Sequence, residues 1–182
     1  MTIEETSLKD VFIISPRVFI DGRGYFFESF NLSAIKGTVL NNYNWVQENE
    51  SKSTKGVLRG LHFQKGNHSQ AKLVRVIIGE VFDVAVDLRK NSPTFGKSYS
   101  VVLSDKNKKQ LLIPRGFAHG FLVLSDTAVF SYKCDNYYSP KHDSGVIYND
   151  LDLKIDWPEL DIHYQLSKKD ESLDDFKDVY KF

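Results

Sequence analysis

Apolar residues along this chain recur in short runs with a period of two, which is the pattern of β-strands rather than of amphipathic helices. The clearest run is Val81–Leu88, in which every second residue is apolar and the alternate positions include Asp83 and Asp87. One face of this strand is therefore apolar throughout, and the other carries two carboxylates. Because Leu73–Ile78 precedes it across a Gly-Glu turn at 79–80, we predict a β-hairpin here.

Turn residues such as Asp-Gly, Lys-Gly-Asn and Asn-Ser-Pro separate further runs that are rich in aromatic and β-branched side chains. This spacing predicts a mainly β fold, either a β-sandwich or a barrel. The further strands that we predict are Val11–Ile14, Tyr25–Phe30, Trp45–Asn49, Ser98–Leu103, Lys109–Ile113, Gly120–Leu124 and Ala128–Cys134.

The pattern changes after Tyr138, where prolines and mixed charges replace the alternation. Ser172 and Asp175 resemble a helix capping box, and the apolar residues at 173, 176 and 180 would share one face of a helix. We therefore expect a tail from about residue 139 that packs back over the β-domain and contains a short C-terminal helix from about Ser172.

The length of 182 residues suits one domain, and we expect a single domain spanning residues 1–182. The 24 Lys and Arg balance the 24 Asp and Glu, so no global charge favours nucleic acid or an anionic membrane as a partner. The single cysteine, Cys134, excludes an internal disulfide and a multi-cysteine metal site. The first ten residues are too polar for a signal peptide, and no apolar run reaches the length of a membrane span. We therefore expect a cytoplasmic protein.

The stretch GVLRGLHFQKGNHSQAK at 56–72 sets His62 beside Arg59 and Lys72 in what otherwise has the composition of a β-protein interior. Basic side chains are costly to bury unless an anion or a developing negative charge lies between them. The group therefore indicates acid–base chemistry rather than an ordinary core histidine. Strict alternation would send Arg59 and His62 to opposite faces, so this interpretation requires a bulge, which Gly60 can supply.

A second histidine, His119, ends a Pro-x-Gly-x-x-His turn that begins at Pro114 and matches the second motif of the cupin superfamily. In metal-binding cupins the first motif contains a His-x-His pair, whereas this chain has Gln64 at the second of those positions. Since a stable metal site needs three or four converging ligands, this difference disfavours a metal.

Tyr132 shares a strand face with Phe130 and Cys134. From the residues alone, it fits a core tyrosine with one hydrogen bond and a proton donor equally well. Tyr138 fits packing at the rim better than stacking on a base. Arg23, between two glycines, is by default a turn residue that could also approach a phosphate closely.

Several long runs, in order over almost the whole chain, closely resemble the dTDP-4-dehydrorhamnose 3,5-epimerase family. Long collinear runs are far more specific than a three-residue motif. The runs that carry the resemblance are Gly56–Gln64, Val81–Arg89, Ser92–Gly96, Ile113–Leu124, Tyr132–Cys134 with Tyr137 and Tyr138, and Asp152–Pro158.

The resemblance implies a metal-free, cupin-type jelly-roll β-sandwich that forms homodimers. It also implies an isomerase without a cofactor, which epimerises dTDP-4-dehydro-6-deoxy-D-glucose at C3 and C5 to dTDP-4-dehydro-L-rhamnose in dTDP-L-rhamnose biosynthesis. Such an inversion needs loss of an acidic C–H proton beside a ketone, a stabilised enolate, and return of a proton from the other face. A redox cofactor is not required for any of these steps.

By the same resemblance, His62 corresponds to the base and Asp170 to the carboxylate that orients and charges it, although Asp83 competes with Asp170 for this place. Tyr132 corresponds to the acid on the opposite face, and Lys72 to the cation that stabilises the enolate oxygen. The positions that match substrate-binding residues, some reached from the partner subunit, are Arg23, Phe26, Glu28, Gln47, Asn49, Arg59, His119, Tyr138, Asp143 and Lys168. Asp143 stands where the family has Glu.

Other functions stay open at this point. A related nucleotide-sugar epimerase could invert only one carbon or use another 4-keto sugar, although Tyr132 favours the double inversion. A ketoisomerase of the same fold is disfavoured by the run at 58–63. A non-catalytic cupin that binds a nucleotide sugar would not need the set of His62, Lys72 and Tyr132, and a metal-dependent oxygenase is disfavoured by Gln64.

Overall fold

The computed structural model describes residues 1–182 and contains thirteen β-strands and one short α-helix. The helix, α1, spans Lys168–Glu171, and single 3₁₀ turns lie at Val39–Asn42, Gly66–His68 and Pro140–His142. The strands are β1 (Thr2–Glu5), β2 (Phe12–Ser15), β3 (Phe19–Asp21), β4 (Gly24–Phe26), β5 (Gln47–Thr54), β6 (Leu58–Gln64), β7 (Lys72–Ile78), β8 (Glu80–Asp87), β9 (Ser98–Ser104), β10 (Gln110–Ile113), β11 (Phe117–Val123), β12 (Thr127–Cys134) and β13 (Asp143–Gly145). No helix in this structure has the length and apolar character needed to cross a membrane.

The strands form two antiparallel sheets and a small separate hairpin. The larger sheet has the order β1-β2-β10-β7-β12-β5, the second has the order β13-β6-β11-β8-β9, and β3 pairs only with β4. Fifteen buried apolar side chains, most of them from the two sheets, pack into one cluster, which includes Val74, Val81, Phe121 and Phe130. This arrangement confirms the mainly β sandwich that the alternating pattern predicts.

The hairpin predicted around residue 79 is wrong. β7 pairs with β10 and β12 in the larger sheet, whereas β8 pairs with β9 and β11 in the other. Gly79 is therefore a corner at which the chain passes from one sheet to the other. Its φ is 83°, and a Cβ there would lie 2.0 Å from the carbonyl oxygen of Thr127. Hairpins and corners use the same turn residues, so alternation alone does not separate them.

Other strand boundaries also differ from the predicted ones. The strand expected at Tyr25–Phe30 is only the short β4, and the segment expected from Trp45 begins at Gln47 and runs further, to Thr54. β1, β3 and β13 are not among the predicted strands, because runs of three or four residues are too short to show a period.

The face of β8 that carries carboxylates points into the protein and not toward solvent. Asp83 and Asp87 are fully buried, so each needs partners. Asp87 accepts hydrogen bonds from Arg89, Ser92 and Thr94, and Asp83 faces a histidine of β11. The interior of the sandwich is thus partly polar, which makes it the place to look for function.

The tail after residue 138 covers the outer, apolar face of the second sheet. Leu153 and Val179 pack there against Leu61, Val84 and Val86. Along its course the tail adds β13 to the edge of β6 and then pairs Gln165 with Val57. The segment that leads to α1 is therefore held against the start of β6.

The helix expected from about Ser172 is wrong in position. The helix ends before that residue: Ser167 is the N-cap of α1 and Ser172 is its C-cap. Beyond it, backbone N–H groups bond to the rest of the protein, since Phe176 donates to the Asp150 carboxylate and Phe182 donates to a carbonyl of the β8–β9 connection. These tertiary hydrogen bonds replace the ones that a helix would make.

Gly60 provides the bulge that the interpretation of His62 requires. In the pairing of β6 with β11, His62 lies opposite His119 and Arg59 lies opposite Phe121, so β6 has one residue more than β11 over this stretch. Gly60 has a φ of 128°, and a Cβ there would lie 2.5 Å from the Cα of Gly120. The extra residue turns Arg59 to the same face as His62.

We expect Gly60→Ala to lower the free energy of unfolding by roughly 2–4 kcal/mol, because the methyl group would overlap β11 and an L-residue is strained at this φ. Urea unfolding measures this change. Gly22→Ala is the matched control, since nothing lies within 4 Å of an added Cβ there, and it should change stability by less than about 0.5 kcal/mol. Wild-type stability of Gly60→Ala would contradict the bulge.

Candidate active site

A cavity of about 540 Å³ lies between the two sheets and receives side chains from both of them and from α1. Strands β6 and β11 form one wall, strands β7 and β12 form the other, and α1 closes one side. Six residues proposed from the sequence come together here: Arg59, His62, Lys72, His119, Tyr132 and Asp170. Such a group of titratable side chains in a pocket is typical of an active site.

His62 on β6 is paired with Asp170 on α1. The Nε2 atom of His62 lies 2.5 Å from Oδ1 of Asp170, whose side chain is 5% exposed. Ser167 donates a second hydrogen bond to the same carboxylate at 2.6 Å. Burial alone would raise the pKa of Asp170, but the hydrogen bonds from His62 and Ser167 lower it to about 2.

The protonation of this pair follows from that low pKa. An ionised carboxylate can only accept hydrogen bonds, so Nε2 of His62 carries a proton. In the neutral ring the lone pair is then on Nδ1, which can act as a base, and a proton taken up there is stabilised by Asp170. The structure thus resolves the choice that the sequence left open, since His62 faces Asp170 and not Asp83.

Asp83 is instead the partner of His119. Both oxygens of its carboxylate lie within 3.1 Å of Nε2 of His119, and the pair is almost completely buried. Burial lowers the pKa of His119, and the charge and hydrogen bond of Asp83 act against this shift. The pair fixes the orientation of the imidazole in the cavity wall.

Lys72 on β7 supplies a cation to the cavity. Its Nζ atom lies 5.9 Å from the centre of the Tyr132 ring. Burial lowers the pKa of Lys72, while Cys134, Asp143 and Asp83 act against this shift. An ammonium that has lost part of its hydration interacts strongly with any negative charge that develops beside it.

Tyr132 projects from β12, in the wall opposite His62. Its neighbours across the strands are Asn49 on β5 and Val74 on β7. Burial raises the pKa of Tyr132, and Arg59 and Asn49 act against the rise. The phenol is therefore protonated at neutral pH, and a flat ligand held between the walls would meet His62 on one face and Tyr132 on the other.

An adjoining cavity of about 160 Å³ shares His62, Lys72 and Tyr132 with the first and extends it toward the surface. Tyr138 and Asp143 line it, and the Tyr138 hydroxyl donates to the Asp143 carboxylate at 3.0 Å. Lys169 forms an ion pair with the same carboxylate. Although Asp143 is shorter than the Glu that the family has at this position, its carboxylate is bonded to both Tyr138 and Lys169.

Six of the ten predicted binding residues line neither of the two cavities. Two of them, Gln47 and Asn49, lie on β5. Arg23 is exposed in the β3–β4 turn, where it pairs with Asp21, and Phe26 of the same hairpin is 66% exposed. Glu28 lines a separate cavity of about 470 Å³. Lys168 is exposed on α1 and does not line the cavity.

The structure also reveals site residues that the sequence analysis missed. Lys169, rather than Lys168, is the lysine of α1 that lines both cavities. Ser167 fixes the Asp170 carboxylate, and Ser53 on β5 accepts a hydrogen bond from Nε of Arg59 at 3.1 Å. Adjacent helical residues point about 100° apart, so Lys169 faces the cavities while the neighbouring Lys168 points elsewhere.

A metal site would need several ligand side chains that converge on one point. No three His, Cys, Asp or Glu side chains come together as a group that could hold a metal ion. Gln64, at the position of the missing second histidine, accepts a hydrogen bond from the backbone N–H of Ser139 at 2.8 Å and donates to Asp143. It therefore supports the loop beside the adjoining cavity.

Comparison with known proteins gives matches over almost the whole chain. A family model described as dTDP-4-dehydrorhamnose 3,5-epimerase matches residues 5–178. The dTDP-4-dehydrorhamnose 3,5-epimerase of Escherichia coli (strain K12) is 55% identical over 173 residues, which is 95% of this chain and 93% of that protein.

Solved structures give the same result. The crystal structure of dTDP-4-dehydrorhamnose 3,5-epimerase from Elizabethkingia anophelis NUHP1 matches with a TM-score of 0.91 and 56% identity, covering 98% of this chain and 97% of that one. A Legionella pneumophila dTDP-6-deoxy-D-glucose-3,5-epimerase, solved with dTDP-4-keto-L-rhamnose, matches with a TM-score of 0.94 and 46% identity, covering 98% and 94%. These matches confirm the cupin-type fold.

The Asp170 carboxylate should make stability depend on acid pH. Its pKa lies below the usual value of 3.8, so its contribution is complete above that value and is lost as the pH falls toward about 2. We expect the difference in unfolding free energy between wild type and Asp170→Asn to shrink by roughly 2 kcal/mol between about pH 5 and pH 2.

Denaturant unfolding at several pH values measures this difference. Asp152→Asn is the matched control, since Asp152 is exposed, and its difference from wild type should stay nearly constant with pH. A constant difference for Asp170→Asn as well would contradict the lowered pKa.

Proposed function

This chain belongs to the dTDP-4-dehydrorhamnose 3,5-epimerase family, and from this premise we propose that it epimerises dTDP-4-dehydro-6-deoxy-D-glucose at C3 and C5 to dTDP-4-dehydro-L-rhamnose. The observation that carries the proposal is the placement of His62 and Tyr132 in opposite walls of one cavity. Inverting a carbon requires a base on one face and an acid on the other. The product belongs to dTDP-L-rhamnose biosynthesis.

His62 is the proposed base. Nδ1 removes the proton from the carbon beside the 4-keto group, and the imidazolium that forms is stabilised by Asp170. The C–H electron pair moves into the enolate. Because Asp170 is buried and is also held by Ser167, the imidazole is oriented before the substrate arrives.

Lys72 is the proposed partner of the enolate oxygen. A ketone oxygen is nearly neutral in the ground state and gains negative charge as the proton leaves. An ammonium in the cavity wall therefore stabilises the transition state more than the substrate, and this difference accelerates the reaction. Burial in this wall also lowers the pKa of Lys72.

Tyr132 is the proposed acid. It donates its proton to the enolate carbon from the wall opposite His62, so that the configuration inverts. Two rounds of this exchange, at C3 and at C5, complete the reaction. A binding module would have no need for a base, a cation and an acid in one cavity, and this argues against the non-catalytic alternative.

Arg59 and His119 would contact the sugar or the diphosphate, since both line the cavity beside His62. The adjoining cavity would take the nucleotide, with Tyr138 stacking on the base. Asp143 and Lys169 form an ion pair there, so Lys169 is placed to exchange its carboxylate partner for a phosphate.

We further propose that the protein is a homodimer in which the nucleotide site is partly shared. The β3–β4 hairpin supports this idea, because Ile20 and Phe26 are 83% and 66% exposed although they are large and apolar. Arg23 at its tip lines neither of the two cavities of its own chain. In a dimer, the hairpin of one subunit would bring Arg23, Phe26 and Glu28 to the other subunit's site.

Solvent deuterium exchange tests the reaction. In D₂O, wild type should incorporate deuterium at both C3 and C5, as followed by NMR. The rate of this exchange should be at least about a hundredfold lower in His62→Ala, because the base is absent. Tyr132→Phe should still exchange but should not invert.

His163→Ala is the matched control, since His163 is exposed and lies outside both cavities, and it should behave as wild type. Exchange at a single carbon would replace the proposal by the single-centre epimerase. Binding without any exchange would replace it by the binding module.

Mixing inactive variants tests the shared site. Arg23→Ala and His62→Ala each damage both sites of a homodimer, but a mixed dimer contains one intact site if Arg23 acts across the interface. We expect mixing to restore about a quarter of wild-type activity when subunits exchange freely. Light scattering should give the mass of a dimer.

The matched control mixes His62→Ala with Tyr132→Phe. Both residues line the cavity of the same chain, so every site in the mixed dimer keeps one defect, and no activity should return. Recovery in this control, or no recovery in the first mixture, would contradict the shared site.

A further inference from the structure

Two amide side chains of β5, Gln47 and Asn49, are hydrogen-bonded to each other beside the strand that carries the proposed acid. We propose that they form a directional hydrogen-bond relay that turns the proton of the Tyr132 phenol toward the substrate. They would be positioning residues, because they act through Tyr132. This inference deepens the proposed function and rests on it.

The residues of the relay lie next to one another on adjacent strands. Asn49 is directly opposite Tyr132 in the pairing of β5 with β12, and Gln47 is directly opposite Cys134. The Nε2 atom of Gln47 donates to Oδ1 of Asn49 at 2.9 Å. The Nδ2 atom of Asn49 lies 3.9 Å from the sulfur of Cys134, so the NH₂ end of Asn49 is the end that faces β12.

One backbone group fixes the direction of the whole relay. The N–H of Tyr138 can only donate, and it donates to Oε1 of Gln47 at 3.0 Å. The carbonyl of Gln47 is therefore occupied, and its NH₂ must be the group that meets Asn49. The carbonyl of Asn49 is occupied in turn, so its NH₂, which lies beside the sulfur of Cys134, is the group that it presents to β12 and to Tyr132 across the strands.

The consequence for Tyr132 concerns the position of its proton. An amide NH₂ has no lone pair that could accept the phenol proton. In the proposed relay the phenol oxygen accepts from the Asn49 NH₂, and its own O–H is free to point into the cavity. In agreement, burial raises the pKa of Tyr132 while the hydrogen bond of Asn49 acts against the rise.

The relay also suits the product of proton transfer. When Tyr132 gives its proton to the enolate carbon, the O–H bond breaks, a C–H bond forms from the enolate electron pair, and the phenol becomes a phenolate. A donated N–H bond is stronger to a phenolate than to a phenol. Asn49 would thus stabilise the charged form that arises during the step, until water returns the proton.

Replacing amides by carboxylates of the same shape reverses the relay. In Asn49→Asp the carboxylate would accept the phenol proton and turn it away from the substrate. In Gln47→Glu the bond from Tyr138 is kept, but the side chain no longer donates, so Asn49 would flip and present its carbonyl to Tyr132. Neither change alters Tyr132 itself.

The experiment measures an internal ratio in D₂O with dTDP-4-dehydro-6-deoxy-D-glucose. The ratio is the amount of deuterium incorporated with retention of configuration, divided by the amount incorporated with inversion. Retention needs only His62, whereas inversion also needs Tyr132. We expect Asn49→Asp and Gln47→Glu to raise this ratio at least about tenfold, toward the value of Tyr132→Phe. The control Asn149→Asp adds the same charge at an exposed position and should keep the wild-type ratio.

Weaker substrate binding lowers both kinds of deuterium incorporation equally, so it leaves their ratio unchanged. The ratio therefore distinguishes the relay from a mere contact of Gln47 and Asn49 with the substrate. If Gln47 and Asn49 only touch the nucleotide, the variants will raise KM and keep the wild-type ratio, and this result would overturn the relay alone. If the charged variants do not fold, Asn49→Ala is measured instead, because it removes the donor without adding charge. A raised ratio in Asn49→Ala supports the relay, and the wild-type ratio overturns it. A wild type with neither exchange nor inversion would overturn the proposed function and the relay with it.

Discussion

The hydrogen bond between Asp170 and His62 is the interaction on which the rest of the site depends. It joins residues from two separate parts of the molecule, the sandwich and the tail that covers it. On one side, the bulge at Gly60 turns His62 and Arg59 to the same face. On the other side, Ser167 starts α1 and at the same time donates to the Asp170 carboxylate. A histidine without this partner would have neither a fixed tautomer nor a stabilised cation.

Burying polar side chains costs free energy, and in this sandwich hydrogen bonds between those side chains and their neighbours offset the cost. Every buried side-chain nitrogen and oxygen has a hydrogen-bond partner, so the penalty for unpaired polar groups is avoided. Asp83 is satisfied by His119, and Asp87 by the loop that follows its own strand. The polar groups that can still form further hydrogen bonds are those that face the cavity, where a substrate can bind to them.

The sequence allowed much of this to be predicted, and the failures share one physical cause. Alternation identified the strands, and the need to bring Arg59 and His62 together identified Gly60 as a bulge, because both are local properties. The corner at Gly79 and the position of α1 depend on contacts made after the chain has folded. Likewise, the partner of His62 lies 108 residues away, and no local pattern connects the two.

The placement of Asp170 in the tail has a consequence for protein synthesis. A ribosome makes all thirteen strands before it reaches α1, since β13 ends at Gly145 and Asp170 comes later. A nascent chain could therefore assemble both sheets, with His62, Lys72 and Tyr132 in place, while its histidine still lacks a carboxylate. Enzymatic competence would arrive abruptly, when the residues around Ser167 leave the exit tunnel and dock beside β6, and not gradually as the sandwich grows.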